Sequence, residues 1–370
     1  MGPTKAYISH PNLKYNIQLI RNAVGSRKIM AVVKANAYGH GAVEVAQTAL
    51  NAGCEYLGVA FAEEGLQLRK AGITAPILVF GAQLQNDLQL AVENRLEVTV
   101  SHPGHIKMLE LIAAKTNKKI SIHLKIDTGM NRAGFDLKKY QNAFKNILKN
   151  QNFELVGVYS HLSSADEPDT LYTQKQIDRF CSIVEFVKSN TKKKINFHLC
   201  NSAGIMKYPQ AYFDMVRPGI MLYGQLPSPD FKTDWQLKEV MSLRSRLTQI
   251  KLISKDEPIS YSRRFFTKED CYIGLIPAGY ADGISRKLSN NTDVIINKKR
   301  HPQVGTICMD MLMVNLGKNT DCKIGDEVIF YGGGKNEFIS ISEIARKLKT
   351  ISYEITCNVS SRVVRVHLNE

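Results

Sequence analysis

The chain has 370 residues, 44% hydrophobic and 22% charged, which suits one large and one smaller globular domain. No apolar run approaches the roughly 18 residues of a membrane span, and the opening MGPTKAYISH lacks the apolar core of a secretory signal. The seven cysteines show no CxxC spacing, so a reducing cytoplasm is expected rather than a disulfide framework or metal site, and the +15 charge is spread without interleaved aromatics, which argues against a nucleic-acid partner.

From the start to residue 235, short apolar runs alternate with helix-length stretches. The runs are residues 29–33, 56–60, 77–80, 96–100, 120–126, 155–159, 195–199 and 212–216. Most are β-branched and apolar on both faces, as strands buried between a core and helices are. Among the intervening stretches, residues 11–24 place Leu13, Ile17 and Ile20 on one helical face. Residues 170–189 do the same with Ile177, Phe180, Ile183, Val184 and Val187. About eight such units predict an α/β fold, a (β/α)8 barrel of the TIM type over residues 1–235. Over residues 236–370 strand-like runs follow one another closely, at 243–252, 272–276, 294–296, 303–308, 311–316 and 327–330. Turn residues at 255–258 and 332–334 separate them and one helix is expected at 340–348, so a mostly β second domain is predicted.

The first barrel strand runs into Lys34-Ala35-Asn36-Ala37-Tyr38-Gly39-His40-Gly41. A lysine at the C-terminal end of a barrel strand points into the active-site mouth. Partial desolvation there lowers its pKa and frees the neutral amine for Schiff-base chemistry. A lone lysine so placed is more often an ordinary rim residue, but others converge on the same end. Strand five leads into Lys125 and Asp127-Thr128-Gly129-Met130-Asn131-Arg132, and strand six ends in Tyr159-Ser160-His161. Strand seven is followed by Asn201-Ser202 and strand eight by Arg217-Pro218-Gly219-Ile220. The last two loops of a barrel commonly hold phosphate. Ser202 offers a hydroxyl at a helix start, and Gly219 and Ile220 offer backbone N–H groups where glycine permits close approach. Taken alone, Ser202 reads equally as a helix cap.

These segments, together with Ile259-Ser260-Tyr261-Ser262-Arg263, Pro277 to Gly283 and Cys308-Met309-Asp310, resemble the alanine racemases over nearly the whole chain. That family comprises pyridoxal-phosphate-dependent enzymes of fold type III. The resemblance implies that Lys34 carries the cofactor and acts as one catalytic base. It implies cofactor contacts for Tyr38, Asn201, Ser202, Gly219, Ile220 and Tyr353, mostly about the phosphate. It sets Arg217 opposite the pyridine nitrogen with His161 as its hydrogen-bonding partner, and Tyr159 on the pocket wall. A guanidinium keeps its proton at neutral pH, so it leaves the ring a weaker electron sink, which favours racemisation over transamination. Arg132 and Met309 would contact the substrate. Lys125 matches a position that often carries a carbamate, which would turn a buried cation beside Arg132 into an orienting anion.

Racemisation needs proton removal on one face of the substrate carbon and delivery on the other, so a second acid/base is required. The resemblance assigns that role to Tyr261, reaching the partner's site in an obligate homodimer, with Tyr280 at the entrance and Arg286 supporting Tyr261. Taken singly, Tyr261 reads as an ordinary β-domain aromatic. The family usually has glycine where this chain has Ser262, which leaves the local turn open. Cys308 reads as a small buried hydrophobe with no catalytic role. The expected function is interconversion of L- and D-alanine by two bases, supplying D-alanine for peptidoglycan precursors. Alternatives are a racemase of lysine, arginine or serine on the same scaffold, a decarboxylase, and a non-catalytic pyridoxal-phosphate-binding protein. A decarboxylase is expected to place an acid where Arg217 stands, and the binding proteins are typically a barrel alone.

Overall fold

The computed structural model describes residues 2–81, 83–333 and 337–369. Eight parallel strands form the barrel: Lys28–Val32, Tyr56–Val59, Ile77–Val79, Glu97–Val100, Ile120–Lys125, Phe153–Tyr159, Asn196–His198 and Met215–Val216. Each pairs with its sequence neighbour as far as Asn196–His198, and the eighth pairs with the first through Lys28↔Met215 and Ile29↔Val216. Two backbone hydrogen bonds of 3.0 Å, Asp214 N to Phe197 O and Arg217 N to Cys200 O, draw the seventh and eighth strands together. The strands are buried on both faces because helices cover the outside, which is why their sequences read as apolar runs.

The helices follow their apolar periodicity. His10–Val24 buries Leu13, Ile17 and Ile20, and its start is fixed by the Ser9 hydroxyl accepting from Asn12 N, with Pro11 in the first turn. Leu171–Asn190 buries Ile177, Phe180, Ile183, Val184 and Val187.

The second sheet has ten strands, nearly all antiparallel. Several expectations shift there and at the end of the barrel. The run at 243–252 is two strands, Met241–Arg246 and Gln249–Ile253, because Leu247 and Thr248 bend to bond Asp326 O and Leu275 O. The run at 303–308 lies earlier, at Lys299–Val304, ended by Gly305 at φ +74°. At 212–216 only Met215–Val216 is strand, since Pro209–Ala211 is a 3-10 turn and Phe213 is left-handed at φ +48°. Of the turn expected at 332–334, Gly332 and Gly333 end the strand Glu327–Gly333, and Gly334 lies outside the described residues. Lys5–Ser9 is a strand that apolar periodicity did not reveal. It pairs antiparallel with Met241–Arg246 and parallel with Val364–Leu368, so residues 5–9 belong to the second sheet although they precede the barrel. The helix Ile341–Leu348 starts at Ser340, whose hydroxyl accepts from Glu343 N. The short helix Ser352–Cys357 comes next and reaches the barrel mouth, where its Thr356 carbonyl lies so close to Gly39 that a Cβ there would overlap it.

Candidate active site

Lys34 leaves the first barrel strand into a left-handed turn. Ala35, Asn36, Ala37 and Tyr38 lie at φ between +52° and +54°, and Gly39 closes the turn at φ +86°. Each non-glycine residue there costs roughly 1–2 kcal/mol, and such strain persists only where neighbours over-determine it. Glu64 accepts from Ala35 N at 2.7 Å, and Asn36 Oδ1 accepts from Ala42 N at 2.8 Å. The His40 ring bonds Ala37 O and Tyr38 O through Nδ1 and stacks on Tyr223 with ring centres 4.4 Å apart. The turn aims Lys34 into a cavity at the C-terminal ends of the strands. Burial, and next the charge of Arg132, lower the pKa of the Lys34 amine.

That cavity has a volume of about 270 Å³ and gathers Lys34, Tyr38, Lys125, Arg132, Tyr159 and His161. Asn201, Ser202, Arg217, Gly219, Ile220 and Tyr353, also expected from the sequence, line it too, and Val32 and Phe80 join them. Asp127 explains the strand-five motif. Its carboxylate accepts from Gly129 N, Asn131 N and Arg132 N at 2.8–3.0 Å, folding the loop that presents Arg132. Burial, then Arg132 and Arg217, push the Lys125 amine down to about 8. The Ser202 hydroxyl lies 3.0 Å from Gly219 N and 3.4 Å from Met221 N and accepts from both. A Cβ on Gly219 would come within 2.6 Å of the Tyr38 hydroxyl, so only glycine keeps that cradle open.

Arg217 is buried and makes no carboxylate contact among the described residues. Its Nη2 donates to Ser160 O at 2.7 Å and Leu199 O at 3.0 Å, with His161 Nδ1 3.3 Å away. Its Nη1 meets His198 Nδ1 at 2.9 Å. Burial lowers its pKa to about 10, which leaves it charged at neutral pH. Burial first, then Arg217 and Arg132, depress the His161 pKa well below the usual imidazole value, so that ring is neutral. The Tyr159 ring lies beneath both Arg217 and Lys125, 5.2 Å and 5.5 Å from their charged ends, and its hydroxyl bonds Thr99 at 2.8 Å.

The remaining expected residues lie elsewhere. Tyr261 (70% exposed), Tyr280, Arg286 and Met309 (52% exposed) are on the β domain and outside this cavity. Three of them share a surface: Tyr280 N bonds Cys308 O, Ala281 N bonds Met309 O, and Thr306 Oγ1 bonds Tyr261 O. Ser262 sits at φ +62°, the conformation glycine takes most easily, and Ser260 and Arg263 are also left-handed. Sequence reasoning missed Arg362, which clamps Asp282 and Asp310 at 2.7–3.0 Å and so ties the Tyr280 loop to the Met309 loop. It also missed His198 and His123. Their signal was a polar side chain within an otherwise apolar barrel strand.

Fold and site together define a two-domain barrel enzyme whose lysine-bearing mouth takes a small-molecule substrate. The family models for the alanine racemase N-terminal domain and C-terminal domain match residues 8–227 and 240–367. The chain is 39% identical to alanine racemase 2 of Caldanaerobacter subterraneus, over 99% of this chain and 95% of that protein. It is 41% identical to the alanine racemase of Methanococcus maripaludis over 99% of both. The crystal structure of the Streptomyces lavendulae alanine racemase superposes with a TM-score of 0.95 at 31% identity, covering 100% of this chain and 98% of that one. The chain belongs to the alanine racemase family.

Proposed function

We propose that this chain interconverts L- and D-alanine with pyridoxal 5'-phosphate in the cytoplasm, supplying D-alanine for peptidoglycan precursors. The observation that carries the reading is one of charge. Lys34, Lys125, Arg132 and Arg217 line one cavity whose lining includes no carboxylate. Lys125 and Arg217 are buried and Lys34 is partly so; cations gathered there without a carboxylate call for anions, and a cofactor phosphate and a substrate carboxylate are the anions that fit. Ser202, accepting from two backbone N–H groups, has its own proton free to donate to a phosphate, and Gly219 leaves the room beside Tyr38. The residues present therefore fit the cofactor, with Tyr38, Asn201, Ser202, Gly219, Ile220 and Tyr353 around the phosphate end and Lys34 as the point of attachment.

Once bound, the cofactor withdraws electrons and so acidifies the substrate α-carbon. Lys34, its pKa lowered by burial and Arg132, takes or gives a proton on one face of that carbon. Arg217 keeps its proton at neutral pH, so it would offer the cofactor's ring nitrogen a hydrogen bond without protonating it. Arg132 receives the substrate carboxylate. Lys125 becomes a carbamate whose negative charge orients Arg132. The second proton carrier, Tyr261, is exposed in the single chain, which supports its delivery to a partner's cavity in a homodimer. Met309 and Tyr280 arrive with it at the entrance, and Arg286 supports it.

The test is an oxidase-coupled assay of D-alanine formed from L-alanine, beside an absorption spectrum. Lys34→Ala is expected to lose activity and the bound-cofactor band. Tyr261→Phe is expected to keep the band and lose most turnover. A Phe variant racemising at the wild-type rate removes Tyr261 from the chemistry. Faster turnover of lysine or serine than of alanine reassigns the substrate.

A further inference from the structure

Among the described residues, Arg217 presents a buried charge against carbonyls, imidazoles and the Tyr159 ring, with no carboxylate in contact. The nearest anion on its hydrogen-bonded path is reached through two more side chains. Arg217 Nη1 meets His198 Nδ1 at 2.9 Å, His198 Nε2 meets His123 Nδ1 at 2.9 Å, and His123 Nε2 meets a Glu97 carboxylate oxygen at 2.6 Å. The chain crosses the barrel interior from the cavity to the first residue of the fourth strand, at the opposite end. His123 and His198 are fully buried, and Glu97 alone touches solvent. We propose that Glu97, acting through His123 and His198, is a positioning residue that fixes the Arg217 guanidinium for racemisation, an inference that rests on the function proposed above.

Hydrogen-bond bookkeeping leaves one consistent direction. Arg217 can only donate and an ionised carboxylate can only accept, while a neutral imidazole does one of each. Glu97 therefore takes the proton on His123 Nε2. His123 Nδ1 is then a lone pair that takes the His198 Nε2 proton, and His198 Nδ1 is a lone pair that takes the Arg217 proton. Burial, and next Arg217, hold His198 in the neutral form that this requires. Reversing either ring would set two N–H groups against each other. Packing supports the same order: the His198 ring stacks on Tyr159 with centres 4.7 Å apart and planes 6° apart. Gly157 leaves room for the His123 ring, since a Cβ there would overlap its Nδ1. Without Glu97 the His123 Nε2 proton has no acceptor and the path is anchored from the Arg217 end alone, so a turn of the guanidinium away from His198 Nδ1 leaves both rings free to reverse.

The test reads imidazole tautomers by nitrogen-15 NMR of the holoenzyme, beside kcat and KM for alanine. In Glu97→Leu, His198 is expected to lose its single Nε2–H form. Its kcat should fall on the order of tenfold while KM moves little, as when an outer partner of a reacting group is lost. Glu97→Gln should restore both, because its amide oxygen can accept the same proton. Should Glu97→Leu fail to fold, Gly157→Ala displaces His123 and should mix the tautomers in the same way. Wild-type tautomers in these variants, mixed tautomers with wild-type kcat, or a loss that Gln does not rescue would each overturn the proposal. A wild-type protein that makes no D-alanine instead refutes the functional reading, and does so before any variant is prepared.

Discussion

A lowered amine pKa is the property that Lys34 and Lys125 have in common, and burial beside arginine produces it in both. Carbamate formation consumes a neutral amine. In carbon-13 bicarbonate, one carbamate resonance is expected, rising as pH passes through about 8, where Lys125 loses its proton, and missing in Lys125→Ala. Glu239 shows burial acting the other way. Its Oε2 is sealed from solvent without a hydrogen bond among the described residues, and burial raises its pKa from 4.5 to about 7. The folded chain therefore binds more protons than the unfolded chain between those values, and stability is expected to fall as pH rises through them. Glu239→Gln should be more stable than wild type at pH 8, by on the order of 2 kcal/mol, and no more stable at pH 4, as read by denaturant unfolding. The place of Lys34 in the cavity was legible because a lysine at a strand end stands out in an apolar run. Glu239, and the His123 and His198 pair, were not, because their roles come from neighbours far away in the chain.

At the scale of elements, two left-handed turns carry the side chains proposed as the two bases. The Lys34 turn is braced by Glu64, Asn36 and the close approach of Thr356 to Gly39. The Tyr261 turn has Ser260, Ser262 and Arg263 at positive φ and no glycine among them. Ser262→Gly is expected to stabilise the protein by about 0.5–1 kcal/mol in denaturant unfolding while leaving turnover intact. A destabilised Gly variant would mean that the serine side chain holds the turn. The long helices were readable from their 3.6-residue periodicity, which directly records burial of one face. Lys5–Ser9 was not: five residues carry too little pattern, and its partners lie more than 200 residues on.

For the whole molecule, the separation of Tyr261 from the Lys34 cavity is the decisive feature. If the site is shared between chains, co-refolding Lys34→Ala with Tyr261→Phe should recover about a quarter of wild-type activity. Half of the random dimers are then mixed, and each mixed dimer holds one intact site. No recovery would place both bases on one chain. Arg362 acts at this scale too, joining the loops behind Tyr280 and Met309 through Asp282 and Asp310.

The order of strands and helices, the barrel with its β-rich companion and the position of Lys34 at a strand end were determined by sequence alone. Periodicity, turn residues and capping act over a few residues, so the chain spells them out locally. Only the tertiary structure decided that Arg217 meets His198 rather than a carboxylate, that Lys5–Ser9 completes the second sheet, and that Tyr261 faces outward. Those outcomes depend on barrel closure and strand register, which bring together residues whose separation along the chain says nothing of their contact.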